Sequence, residues 1–330
     1  MEGVLLWRRW RPVIWTESSM LSMDGMTDYA VGIAARMSST RLPGKALAVY
    51  CPDGTTNLAQ IVSRWRYHSR RSPTIIVATT DGAEDDAIEL MCGALDVSCY
   101  RGSRDDVVSR MDNAIKKYAP DACFIARAMA DNPLVDVLLA DWRLDTLSET
   151  VAGGLWYGPD HERITYAGTT DIWSRSAWNM IVSESSGDER EHPGLYYWRH
   201  LNRFSVVQLP LPMREYLAPV RTELDTSDDL EMFRQLWKSW ALTETDMCIP
   251  TMWALTMLEK RSDLSAINSH VELKTQTRAV WPRGVGFLCE QCQSRLGGIV
   301  AGDLEVRCAR CGKPRKFYAR KKAAQHTGHS

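Results

Sequence analysis

From Tyr29 onward the chain alternates short apolar runs with segments of helical period, and this order constrains the fold more than any other feature. YAVGIAAR reads as a buried strand. Residues 57–70 carry helical spacing, and Ser72-Pro73 breaks the chain before TIIVATT, a second buried strand. EDDAIELMCGAL reads as a helix whose acidic first turn suits the positive end of its dipole. VSCYRG is a short strand, residues 105–118 an amphipathic helix, and DACFIARAMAD a strand that ends on an aspartate. Strands without polar alternation, separated by helices, imply an α/β fold with a mostly parallel sheet covered on both faces. Ligands of such sheets bind at the carboxyl ends of the strands. ARMSSTRLPGK, ATTDGAEDD, YRGSRDD and ADNPLVD all fall at such ends, so one pocket can gather all four.

The remainder is less regular. TTDIWSRSAWNMIV reads as a strand entering a helix, GLYYWRH as a short helix and FSVVQLPLP as a strand. VRTELDTSDDLEMFRQLWKSW reads as a strand and then a helix capped near Thr226 or Ser227. IPTMWALTMLEKRSDLSAIN is a further helix and its exit. A length of 330 residues allows one large domain plus a small one. We expect a leader over residues 1–28, a main domain over 29–276, a metal-binding module over 277–312 and a basic tail over 313–330. The leader is too interrupted by arginine for a signal peptide, and Pro12 interrupts any amphipathic surface helix. It reads as a disordered stretch or as sequence upstream of a start near Met26. The net charge of -1 excludes a chain that binds nucleic acid by overall charge. No apolar run reaches the roughly 18 residues of a transmembrane helix.

The loop ARMSSTRLPGK combines Arg36, Arg41 and Lys45 with Ser38, Ser39 and Thr40. Guanidinium forks match phosphate oxygens in pairs, and a lysine adds a point charge. Backbone N–H groups at the head of the following segment add donors. The loop is neither a G-x-x-x-x-G-K-[ST] nor a G-x-G-x-x-G type. On composition alone, a solvated basic loop explains it equally well.

R-M-S-S-T-R-L-P-G-K after a strand resembles the signature of cytidylyltransferases that activate acidic sugars, most of all the spore-coat polysaccharide biosynthesis F type. CMP-ketodeoxyoctonate synthetases are similar in pattern, and acylneuraminate cytidylyltransferases more distantly. The likeness continues in order through VATTDGAEDDAI, YRGSRDDVVSRMDNAIKKY, IARAMADNPLVD, DIWSRSAWNMI, DEREHPGLYY, RTELDTSDDLEMF and LEKRSDLSAIN. It implies a Rossmann-like, mostly parallel sheet of the nucleotide-diphospho-sugar transferase type. It also implies a Mg²⁺-dependent transfer of NMP from an NTP, CTP foremost, to a sugar or sugar acid, with release of pyrophosphate. Arg36, Ser38, Arg41 and Lys45 would hold the triphosphate. Asp131 and Asp225 would hold Mg²⁺, which favours hard oxygen ligands. Arg101, Ser103 and Asp106, with Arg110 one turn on, would line the nucleotide, and Arg127 would support Asp131. Asp171, Arg190, Glu191 and His192 would face the acceptor. Without a signal peptide a cytoplasmic enzyme is expected, and the sequence leaves a homodimer open.

The sequence departs from the family at several points. Met129 stands where a hydroxyl is usual, Asn132 where a cysteine is, and Thr169 at one of two acidic positions in a shortened loop of which Asp171 is kept. These changes bear on the acceptor. They leave open a second reading, a non-catalytic scaffold that binds a nucleic acid or a protein assembly.

Nine cysteines are present. Cys51, Cys92, Cys99, Cys123 and Cys248 lie singly among apolar neighbours, as small core residues do. Cys289, Cys292, Cys308 and Cys311 form a C-x₂-C-x₁₅-C-x₂-C pattern that fits a structural Zn²⁺ ribbon in a reducing compartment. A rubredoxin-type iron centre uses the same ligands. KPRKFYARKK follows directly, and its basic residues interleaved with Phe317 and Tyr318 suit a nucleic acid or protein partner, or a solvated tail.

Overall fold

The computed structural model describes residues 29–150, 152–156, 165–209, 220–241 and 248–271, together with four short strands nearer the C-terminus. Seven strands form one sheet in the order β3-β2-β1-β4-β6-β5-β7. They are β1 (Tyr29–Ala34), β2 (Thr74–Thr80), β3 (Ser98–Gly102), β4 (Phe124–Met129), β5 (Gly154–Trp156), β6 (Asp171–Ser174) and β7 (Val206–Gln208). β1 pairs in parallel with both β2 and β4, β2 with β3, and β5 with β7, while β6 runs antiparallel between β4 and β5. The expected mostly parallel sheet is present.

Around the sheet lie α1 (Asn57–His68), α2 (Asp86–Ala94), α3 (Val107–Tyr118), α4 (Val137–Ser148), α5 (Arg175–Glu184), α6 (Asp188–Glu191), α7 (Pro193–Arg199), α8 (Ser227–Ala241), α9 (Thr251–Lys260) and α10 (Ser262–Ser265). Polar residues set where helices begin. The side chains of Thr56, Asp106, Asp136 and Ser174 each accept a hydrogen bond from a main-chain N–H in the first turn of α1, α3, α4 and α5. At α8 the cap is reciprocal: Asp229 N donates to Thr226 Oγ1 and Thr226 N donates to Asp229 Oδ2.

Alternate residues of each strand enter separate cores. Val31, Ile33, Val77 and Ala128 pack with α1, α4, α8 and α9 on one face. Ala30, Ile76, Ala78 and Trp173 pack with α3, α5 and α7 on the other. On that second face small residues let α3 approach closely, and a Cβ on Gly32 would meet Met111 Cε at 2.8 Å.

Two expectations change. ADNPLVD leads into α4, which was not anticipated: its burial spans Val137, Ala140, Asp141, Arg143, Leu144 and Leu147, so its amphipathic signal is weak. The segment 220–226 is not a strand. Its main chain is held instead by Asp131, whose carbonyl accepts from Leu224 N at 2.9 Å, and by the Asp229 carboxylate. Farther on, β8 (Phe287–Leu288) pairs with β9 (Arg295–Gly297) and β10 (Leu304–Arg307) with β11 (Pro314–Phe317), both antiparallel. The leader, the four paired cysteines and most of the basic tail lie outside the described residues. Among the described residues no helix is long and apolar enough to cross a membrane.

Trp173 is 1 % exposed and its ring packs on Trp178 at 5.5 Å and Tyr197 at 6.3 Å. Trp173→Ala is expected to cost about 3–5 kcal/mol in urea unfolding, as large-to-small changes in a packed core do.

Candidate active site

The cationic loop leaves β1, between β2 and β4 in the sheet, and folds back on itself. Met37 O accepts from both Ser39 N and Gly44 N, at 2.8 and 2.9 Å. Gly44 has φ +75, a left-handed conformation that favours glycine, so the Pro-Gly pair makes this turn possible. The fully buried Asp85 anchors the loop to β2: Oδ1 accepts from Met37 N at 2.7 Å, and Oδ2 from the Thr80 main chain and hydroxyl. Burial acts to raise the Asp85 pKa, but these bonds outweigh it and hold the group below the usual carboxylate range.

The turn aims Lys45 at two carboxylates. Its Nζ lies 3.0 Å from Asp131 Oδ2 and 2.7 Å from Asp225 Oδ1, and Arg41 Nη2 bonds Asp225 Oδ2. All four groups are largely shielded from water. Burial alone would lower the Lys45 pKa; the two carboxylates reverse this and raise it, so the ammonium stays charged. The tie between Asp131 O and Leu224 N brings the two aspartates together from distant parts of the chain.

Three residues without an expected role, Tyr166 and Asn57 outside any quoted motif and Asp229 within RTELDTSDDLEMF, complete this arrangement. Tyr166 Oη donates to Asp131 Oδ1 at 3.0 Å, so both carboxylate oxygens are fixed. The buried Asn57 donates through Nδ2 to Lys45 O at 3.1 Å and Ala130 O at 2.6 Å, joining the end of the loop to the Asp131 segment. Asp229 accepts from Asp225 N at 2.9 Å and from Arg221 Nε at 2.7 Å. Single polar residues of this kind leave no periodic trace. Only the T-x-x-D cap at Thr226 hinted at the role of Asp229.

The other expected residues lie around this centre. Arg101 sits at the end of β3, bonded to Asp86 and Glu89 at the surface and to the carbonyls of Thr80 and Gly82. Ser103 Oγ accepts from Asp106 N. Arg190 donates to Asp106 Oδ2 at 2.8 and 3.1 Å, which ties α6 to the start of α3. Arg36 lies 3.7 Å from Glu191 across the mouth of the loop. His192 stands at the junction of α6 and α7. Arg127 does not support Asp131. It faces Asp171 directly across the antiparallel β4–β6 pair and bonds it at 3.1 Å, and Tyr166 takes the place at Asp131 instead.

Several donors at the strand ends remain unused. Ser38 Oγ, Arg41 Nε and Arg110 Nε are buried without a hydrogen-bond partner within the described residues. Burial and the like charge of Arg36 push the Arg110 pKa down to about 10. Orphaned donors and an under-neutralised cation at one edge suit an anionic ligand. Among the described residues no group of three or more His, Cys, Asp or Glu side chains is arranged to hold a metal ion. The two aspartates nevertheless share one cation, the Lys45 ammonium, so this oxygen pair can face a small hard cation if other ligands complete its shell.

Residues 30–226 match the family described as cytidylyltransferase. An uncharacterized protein of Methanocaldococcus jannaschii is 30% identical over 250 residues, covering 74% of this chain and 95% of its own. The spore coat polysaccharide biosynthesis protein SpsF of Bacillus subtilis is 28% identical over 222 residues, covering 64% and 88%. Among solved structures, a cytidylyltransferase from Leptospira borgpetersenii superposes with a TM-score of 0.64 at 24% identity, covering 72% of this chain and 97% of that one.

Asp229 is fully buried. Burial favours its neutral form, yet bonds from Arg221, Asp225 N and Asn268 hold its pKa below the usual range. A pKa lower in the folded than in the unfolded chain contributes stability above the unfolded value of about 3.9, lost as pH falls through the folded value. Resistance to urea is expected to fall as pH drops below about 4. Asp229→Asn should be less stable at pH 7 and show a shallower acid slope.

Proposed function

The chain belongs to the cytidylyltransferase family of nucleotidyltransferases, and we propose that it transfers CMP from CTP to a sugar or sugar acid with release of pyrophosphate. The observation that carries this reading is the pair of buried aspartates facing one cation beside a loop with orphaned donors. In the proposed complex Arg36, Ser38, Arg41, Lys45 and Arg110 hold the triphosphate, with Arg101, Ser103 and Asp106 near the nucleotide. Asp171, Arg190, Glu191 and His192 border the acceptor. Similarity to the spore coat protein supports a place in surface polysaccharide or glycan precursor synthesis.

Asp131 and Asp225 would hold Mg²⁺. When bound, the ion supplies positive charge that offsets charge developing on the phosphates. The chain's own part is positional. The loop cations fix the triphosphate and stabilise charge on the departing pyrophosphate, and the α6–α7 wall orients the acceptor hydroxyl. The hydroxyl oxygen attacks the α-phosphorus in line, forming one P–O bond as the α–β bridge breaks, and its proton is released to water. Asn57 and Asp85 act through the loop by holding its two ends. Asp131→Asn and Asp225→Asn are each expected to lower the rate of pyrophosphate release from CTP by about 10²–10⁴, a loss of several kcal/mol of barrier stabilisation. Full activity in both variants would exclude this assignment.

We also propose that Cys289, Cys292, Cys308 and Cys311 hold a structural Zn²⁺. Thiolate ligands at this spacing suit the ion, and each C-x₂-C run lies between two strands that pair with each other, β8 with β9 and β10 with β11. Metal analysis of purified protein should find one zinc per chain, lost in Cys308→Ser. Iron with a visible thiolate charge-transfer band would replace zinc in this account.

A further inference from the structure

We infer that Lys45 is an exchangeable counter-cation: its ammonium holds the place of the divalent ion in the free enzyme and gives it up to the triphosphate, so metal and nucleotide bind as a unit. This inference rests on the reading of Asp131 and Asp225 as the metal carboxylates.

A divalent ion and the Lys45 ammonium would compete for the same carboxylate oxygens. Lys45 Nζ lies between the carboxylates, 3.0 Å from one and 2.7 Å from the other. An ion bound to the same facing oxygens at about 2.0–2.1 Å would overlap the ammonium. Simple withdrawal of Lys45 is unfavourable, because it takes from the buried Asp131 the cation it is paired with and leaves Asp225 to Arg41 and Arg221. Withdrawal becomes favourable when each partner receives a substitute at once. The triphosphate offers anionic oxygens to Lys45 and Arg41, and the metal neutralises the aspartates.

The residues differ in their freedom to move. Lys45 ends a flexible four-carbon stem on a loop that already turns toward the strand ends. Asp131 is held by Tyr166 Oη at 3.0 Å on the oxygen that Lys45 does not use. Asp225 is held by its main-chain bond to Asp229. When the ammonium leaves, the carboxylates therefore keep their positions. Linkage then requires that each ligand raise the affinity of the other by the same factor.

The test measures metal binding on the full chain, with Mn²⁺ as probe, by electron paramagnetic resonance of the free ion. α,β-Methylene CTP serves as a nucleotide that cannot be turned over. In the wild type, Mn²⁺ should bind at least about tenfold tighter with the analogue than without it. Lys45→Met and Lys45→Gln should bind Mn²⁺ without nucleotide at least about tenfold tighter than the wild type does. Both should melt at lower temperature than the wild type, and Mg²⁺ alone should raise their melting temperatures while leaving the wild type unchanged. Wild-type protein that binds Mn²⁺ alone as tightly as the Lys45 variants would overturn the exchange and leave the metal site standing. Unchanged Mn²⁺ binding by nucleotide-loaded Asp131→Asn and Asp225→Asn would overturn the metal site and the exchange together.

Discussion

Two buried carboxylates that stay ionised while facing each other need a shared cation, and the architecture around Asp131 and Asp225 follows from that constraint. Asp131 is placed by β4, the strand beside β1 in the sheet. Asp225 is placed by an irregular segment pinned to the Asp131 carbonyl and to Asp229. The Pro-Gly turn delivers Lys45 into the gap, and Arg41 covers the outer oxygen of Asp225. A solvated basic loop would have no reason for this convergence; here its cations are partnered by acids from two other parts of the chain.

The sheet order makes the convergence possible. Because β2, β1 and β4 are neighbours in parallel, the loops that follow them open on the same edge. Asp85 ties the loop after β2 to the loop after β1, and Asn57 ties the latter to the segment after β4. The antiparallel β6 then turns the chain toward α6 and α7, which close the edge through Arg190 on Asp106 and Glu191 near Arg36. A Cβ on Gly194 would come within 2.8 Å of Asp171 Oδ2, so α7 passes against the Arg127–Asp171 pair with little room to spare.

Much of this was legible in the sequence, for identifiable reasons. Unbroken apolar runs such as TIIVATT announced the central strands, and the motif likeness of ARMSSTRLPGK marked the loop that carries Arg41 and Lys45 to the two aspartates. Asp131 and Asp225 were found through ordered motif likeness, since neither stands out by itself. What escaped depends on tertiary contact. Helix α4 is buried nearly all round and so lacks an amphipathic stripe. Residues 220–226 look like a strand but pair with side chains and one carbonyl. Arg127 was expected at Asp131, but cross-strand register sets it against Asp171. Tyr166 and Asn57 act as single residues, and nothing in their neighbours marks them.

The central claim is that the loop and the two aspartates are opposite sides of one clamp on a metal-bound triphosphate. A crystal structure of the chain with α,β-methylene CTP and Mg²⁺ tests it most directly. The account predicts Mg²⁺ between Asp131 and Asp225, with Lys45 Nζ on a phosphate oxygen and away from both carboxylates. A triphosphate bound elsewhere, with Lys45 still bridging the two aspartates, would contradict it.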